Sequence, residues 1–176
     1  MPRSNRFRKL PELDVLLSDG STRALASFYA QKPLALIFLR HLNCLFCHQQ
    51  VEQLRNHPDW NVAFVGMAPP LEAQQFIAEY LPNHPVLCDP DRRLYRMFDL
   101  QEGRVGQLVG PKVLARAVSA MRQGHHNLRP VRHSRQLAGV FVIAPSGEVR
   151  WEYRSRNAAD NPTPDDVRRH LLQAES

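Results

Sequence analysis

Cysteine is scarce in this sequence, with three in 176 residues. An odd and small number cannot build the disulfide framework of a small secreted domain, so a reducing compartment, the cytoplasm, is expected. Long apolar runs are lacking as well. None approaches the roughly 20 residues needed to cross a bilayer, and no membrane association is expected. The segment Met1–Lys9 carries positive charge with no apolar run behind it, which is not the pattern of a secretory signal. There is no internal repeat and no low-complexity tract. What is present is globular in composition, 43% hydrophobic and 23% charged, in a length that suits one domain over residues 1–176.

The net charge of +6 is local. Between residues 101 and 137, seven basic residues (Arg104, Lys112, Arg116, Arg122, Arg129, Arg132 and Arg135) face one acid, Glu102, and the rest of the chain is balanced. Such an excess could dock an anionic partner at low ionic strength. No aromatic residue is interleaved with the charges to stack bases, so nucleic acid is disfavoured and a solvated basic loop is the plainer reading. His125, His126 and His133 fall in the same stretch and are read as solvated loop residues.

Leu13–Leu17 is a short strand pattern, and Ser18-Asp-Gly-Ser21 behind it is a turn signal, giving an N-terminal hairpin. Thr22–Ala30 holds a short helical pattern. Leu34–Leu39 is continuously apolar, which predicts a central strand buried on both faces between parallel neighbours. A helix follows, with Asn43 as an N-cap type, its start at Cys44, and Cys47, Val51 and Leu54 on its buried face. Gln49, Gln50, Glu52, Gln53 and Arg55 take the other faces. Val62–Met67 is a second apolar strand, Pro69–Tyr80 a helix buried through Phe76, Ile77 and Tyr80, and Val86–Cys88 a brief strand.

A short helix carrying Leu94, Tyr95, Met97 and Phe98 comes next. The basic stretch, about 101–137, reads as an insertion with one helix over Val113–Met121. Gln136–Ala144, the turn Pro145-Ser-Gly147 and Val149–Tyr153 form a C-terminal hairpin, and Pro162–Val167 opens a last helix. The fold class is α/β, a central mixed β-sheet flanked by helices, with an N-terminal hairpin and a basic insertion before the C-terminal hairpin.

The chemistry concentrates in Cys44-Leu-Phe-Cys47. Two thiols three apart, where a strand hands over to a helix inside a βαβ pattern, match the signal for a thioredoxin-like redox site. A cysteine at a helix N-terminus is favoured as thiolate, which makes Cys44 the candidate nucleophile. Arg40 and His41 could add positive charge beside it. Cys47, one turn deeper, could attack a sulfenic acid or mixed disulfide on Cys44 and close an intramolecular disulfide, which an outside reductant must reopen. Two other readings stand beside this one. Both cysteines could be buried small hydrophobes, or Cys44, Cys47, His41 and His48 could form a zinc set, against which stands the lack of a second Cys-x-x-Cys. Cys88 is read as a core cysteine, and Asp89, Asp91 and Asp99 as turn and capping residues. No cofactor and no metal is assigned.

Leu13–Gly20 with Leu25-Ala-Ser-Phe-Tyr29, then Phe38-Leu-Arg-His-Leu-Asn-Cys-Leu-Phe-Cys-His48, then Gln136–Gly147 and Tyr153-Arg-Ser-Arg156 resemble the peroxiredoxin-like branch of the alkyl hydroperoxide reductase/thiol-specific antioxidant (AhpC/TSA) superfamily. The resemblance implies a single thioredoxin-like domain and thiol-dependent redox work. The substrate it implies is a hydroperoxide or a protein disulfide, and the reductant a thiol such as a thioredoxin, a glutaredoxin or glutathione. Where peroxiredoxins resemble Pro-x-x-x-Thr-x-x-Cys, Ile37 and His41 hold the proline and threonine positions here. Leu137, Ala138 and Gly139 stand where an arginine or a cis-proline would precede the late strand. A redox-sensing module that docks an anionic partner through the basic insertion is the reading outside catalysis.

Overall fold

The computed structural model describes residues 9–42, 44–80, 83–103, 110, 118 and 135–175. Most of the basic insertion lies outside them, as do Asn43, His125, His126, His133 and, apart from Val118, the helix expected over Val113–Met121.

Strands β1 (Asp14–Leu17) and β2 (Thr22–Ala24) form the N-terminal hairpin. Its turn is closed by Asp19, whose carboxylate accepts from the backbone N–H of Ser21 at 2.8 Å, and by Gly20 at φ 85°. The helical pattern read over Thr22–Ala30 is thus partly a strand, and only Ala26–Tyr29 is helical (α1). Three residues of strand register against β1 outweigh a weak local helix preference. Then come β3 (Leu34–Phe38), α2 (Leu45–Arg55), β4 (Val62–Gly66), α3 (Pro70–Tyr80), β5 (Val86–Cys88), α4 (Arg93–Met97), β6 (Gly139–Ile143), β7 (Val149–Arg154) and α5 (Pro164–Gln173).

The strands make one mixed sheet in the order β2-β1-β5-β4-β3-β6-β7. Every residue of β3, β4 and β6 is buried, because helices cover both faces. On one face α2, α3 and α5 pack over Ala35, Ile37, Phe64 and Val140, and on the other α1 and α4 pack over Leu36, Phe38, Val65 and Phe141. The expectation of parallel neighbours for the central strand holds on one side only. β3 pairs parallel with β4 and antiparallel with β6. A continuous apolar run reports burial on two faces and says nothing about strand direction.

Two devices fix the ends of the elements nearest the cysteines. The Asp89 carboxylate accepts from the N–H groups of Arg93 and Leu94 at 2.8 Å each and from Tyr95 at 3.2 Å, which starts α4. That helix delivers the Tyr95 hydroxyl, fully buried, to the carbonyls of Leu39 and Val65, the latter at 2.9 Å, so that the ends of β3 and β4 are held together from below. At the far end of the chain α5 opens on a capping box between Thr163 and Asp166.

Where β6 begins, Gly139 lies between β3 and β7, opposite Phe38 and Arg154. A Cβ there would stand 2.6 Å from Leu100 Cδ2 and 3.1 Å from the Tyr153 carbonyl. Replacing Gly139 by Ala should lower stability by about 1–3 kcal/mol, the range of core overpacking, as a fall in the urea midpoint at unchanged slope.

Candidate active site

β3 ends at Phe38, and the chain turns through Leu39–Leu42 before α2. Cys44 is the N-cap of α2, with extended backbone at φ −87° and ψ 124°, so the helix begins one residue later than the spacing suggested. Its carbonyl accepts from Cys47 N–H at 2.9 Å and His48 N–H at 3.0 Å, which makes the first turn. Cys47 therefore comes back under Cys44, and the two side chains approach to 3.5 Å without a disulfide. Cys44 is 4% exposed and Cys47 2%.

Arg40 binds both thiols. Its backbone N–H donates to Cys47 Sγ at 3.2 Å, and its Nη1 donates to Cys44 Sγ at 3.4 Å. The guanidinium is itself buried, and Nε donates to the carbonyl of Gln136 at 3.1 Å. Gln136 is held in turn by its side-chain amide, which donates to the carbonyl of Leu100 at 3.2 Å.

These contacts split the two thiols. A hydrogen bond from the Cys47 thiol, the Arg40 charge and the N–H groups of Cys47 and Phe46 outweigh burial and bring the Cys44 thiol down to about 6. Burial first, then the same hydrogen bond and the Cys44 charge, push Cys47 well above its ordinary range. At neutral pH the pair is a thiolate at Cys44 with a thiol donating to it. His41 contributes no charge. Burial, aided by Arg40 and His48, holds its ring down to about 4, and Nδ1 is buried without a hydrogen-bond partner. The positive charge expected beside Cys44 comes from Arg40.

His48 is buried, stacks on Tyr80 with ring centroids 4.0 Å apart, and uses Nε2 on the Leu42 carbonyl, so it ties the loop ahead of Cys44 to α2. The same loop is seated from beneath. Leu42 lies so close over Gly66 that a Cβ there would stand 2.8 Å from Leu42 Cδ2. Among the described residues no group of three or more His, Cys, Asp and Glu could hold a metal, so His41, Cys44, Cys47 and His48 do not form a four-ligand set. Gln50, read as facing away from the core, is 4% exposed with Oε1 unpartnered. At the flank of the sheet, Cys88 lines a cavity of about 130 Å³ with Val15, Asp89 and Arg93, which neither Cys44 nor Cys47 lines. Burial pushes its thiol up to about 11, so it is no nucleophile at neutral pH.

The sequence puts Arg40 close to the pair without fixing a contact, and neither Gln136 nor Tyr95 stands out in it as a site residue. Gln136 acts through its carbonyl, which any residue type provides. Tyr95 had a faint signal, a phenol among the apolar residues of a short helix.

Reactivity with pH follows from the split. Alkylation of the reduced protein at Cys44 by iodoacetamide should rise through a midpoint near pH 6 and level off, and should not climb through 9 as for an ordinary thiol. Cys47→Ala, which removes the largest stabilising contact, should move that midpoint up by roughly one to two pH units.

Residues 47–157, more than half of the chain, match the family described as AhpC/TSA antioxidant enzyme. Among curated proteins, peroxiredoxin-like 2C from Mus musculus is 21% identical over 85% of this chain and 73% of its own length. The Homo sapiens protein of that name is 22% identical over the same shares. Among solved structures, peroxidoxin BcpB from Mycobacterium tuberculosis superposes with a TM-score of 0.68 at 15% identity, covering 96% of each chain. A putative thiol:disulfide interchange protein DsbE from Chlorobium tepidum does so at 0.58 and 16%, covering 94% of each. At such identities the structural likeness speaks for the fold.

Proposed function

The chain belongs to the AhpC/TSA antioxidant enzyme family, and on that premise we propose that it is a thiol-dependent oxidoreductase that reduces hydroperoxides, with Cys44 attacking and Cys47 resolving. The observation that carries this reading is the buried Arg40 guanidinium 3.4 Å from Cys44 Sγ, beside a second thiol 3.5 Å away.

The Cys44 thiolate attacks the terminal oxygen of ROOH, the O–O bond breaks, and the leaving alkoxide takes a proton from solvent to give ROH and a sulfenic acid. The Cys47 sulfur then attacks the Cys44 sulfur. The S–O bond breaks, and hydroxide leaves with the proton from Cys47 as water. Two equivalents of thiol reopen the disulfide and leave as their own disulfide. Thioredoxin, glutaredoxin or glutathione, in a reducing compartment such as the cytoplasm, fits that last role.

A protein disulfide is the second reading, favoured by the imidazole of His41 at the position where the resemblance implies a hydroxyl. Against it, a thiol with 4% exposure admits a small peroxide far more readily than an extended chain. No helix among the described residues is long and apolar enough to cross a membrane.

The pre-reduced protein should consume about one equivalent of hydroperoxide per chain and lose two free thiols. Cys44→Ser should abolish consumption, whereas Cys47→Ser should still consume peroxide and leave a sulfenic acid that dimedone traps. Loss of a protein disulfide with no loss of peroxide would reverse the order of the two readings.

A further inference from the structure

Arg40 makes two contacts to the pair, one to each sulfur. Its guanidinium Nη1 is 3.4 Å from Cys44 Sγ and its backbone N–H is 3.2 Å from Cys47 Sγ. Both are donors, and a donor, above all a charged one, stabilises a thiolate far more than a neutral disulfide sulfur. Cys44 is the thiolate of the reduced pair, so closing the disulfide discards the favourable part of the guanidinium contact, while the N–H contact to the neutral Cys47 changes little. Whatever holds a reduced dithiol in its ionised form makes the matching disulfide easier to reduce.

We infer that Arg40 sets the Cys44–Cys47 couple on the oxidising side, so that a small monothiol reopens the disulfide. The inference rests on reading the two cysteines as a redox pair and goes beyond it by selecting the small monothiol among the reductants that fit and by naming the residue that admits it. The burial of both sulfurs points the same way, because a tripeptide-sized thiol needs less of the surrounding loop displaced than a protein does.

The reductive steps balance as follows. A monothiolate RS⁻ attacks Cys44 Sγ, the S–S bond breaks, and its electron pair goes to Cys47 Sγ, where the Arg40 N–H receives the new charge; a proton from solvent then makes the thiol. A second RS⁻ attacks the R sulfur of the mixed disulfide. Cys44 leaves as the thiolate held by Arg40 Nη1, and R–S–S–R departs. Two monothiolates and one proton are consumed, and the monothiol is oxidised as the protein is reduced. Cys44, with its stabilised thiolate, is a good leaving group for the second step.

The test is the equilibrium of the wild-type protein, Arg40→Gln and Arg40→Lys with glutathione and glutathione disulfide at pH 7.5, quenched by alkylation and counted by mass. Arg40→Gln should raise the equilibrium constant for disulfide formation roughly threefold or more, and Arg40→Lys should recover part of that change. A change smaller than this in a Gln variant with native circular dichroism overturns the inference. Should that variant not fold, the wild type decides: in about 10 mM glutathione with about 0.1 mM of its disulfide most chains should be reduced, and a disulfide that stays closed overturns it. No peroxide enters this equilibrium. Failure of the peroxide assay would leave it standing, and failure here would leave the peroxide assay standing.

Discussion

The site depends on one buried cation holding one buried thiolate. A hydrogen bond to a charged group is worth about 1.5–3 kcal/mol, whereas the end of a helix dipole contributes about 0.3–1 kcal/mol when exposed and up to about 2 kcal/mol when partly buried, and Cys44 receives more than one such hydrogen bond. Position at the N-terminus of α2 is therefore the smaller part of what makes Cys44 acidic. The larger part is the convergence of the Cys47 thiol and Arg40 on its sulfur. That convergence is a property of the sheet. Arg40 points at Cys44 because its Nε is anchored on the Gln136 carbonyl, 96 positions away in the chain, which the antiparallel pairing of β3 with β6 brings alongside.

The surrounding packing keeps the loop between β3 and α2 in that arrangement. From one face of the sheet Tyr95 holds the Leu39 and Val65 carbonyls, and Leu39 N–H reaches the same Val65 carbonyl at 2.9 Å. Beneath Tyr95 the rings of Phe38, Phe98 and Phe141 lie with centroids 4.6 to 5.6 Å apart and leave the phenol little room to turn. From the other face Leu42 sits on Gly66, and its carbonyl is taken by His48, which leans on Tyr80 of α3. The loop is thus tied to β4, α2, α3 and α4 at once. A redox site on so short a connection needs such ties, since a thiolate contact of 3.4 Å is lost by a shift of about one ångström.

Much of this was legible in the chain. The apolar run Leu34–Leu39 and the spacing of Cys47, Val51 and Leu54 place the strand, the helix and the handover between them, because burial on two faces and burial on one helical stripe leave different sequence periods. Direction left no such trace in the run itself, which pointed to parallel neighbours; the closing hairpin is what implies the mixed sheet that forms, with β6 antiparallel to β3. Gln50 shows another limit. Its polarity assigns it to the surface, yet α2 is covered on more sides than one stripe and the residue is buried. The site itself divides in the same way. The two thiols announce themselves by spacing, while the Arg40 contact depends on a backbone carbonyl, which carries no sequence signature.

The pair is best understood as one titrating unit. The hydrogen bond that lowers Cys44 is the one that raises Cys47, so a single proton lies between the two sulfurs and belongs to both. In the proposed cycle this division of labour is what the two half-reactions need. The attacking sulfur is already a thiolate at neutral pH, and the resolving sulfur keeps the proton that hydroxide requires to leave as water. Two thiols in equivalent surroundings would share both burdens and meet neither well. The equivalence is broken by geometry: the Cys44 sulfur receives the Cys47 thiol, the Arg40 Nη1 and the first N–H groups of α2, while the deeper Cys47 sulfur is dominated by its burial and has the Arg40 backbone N–H as its contact to that residue.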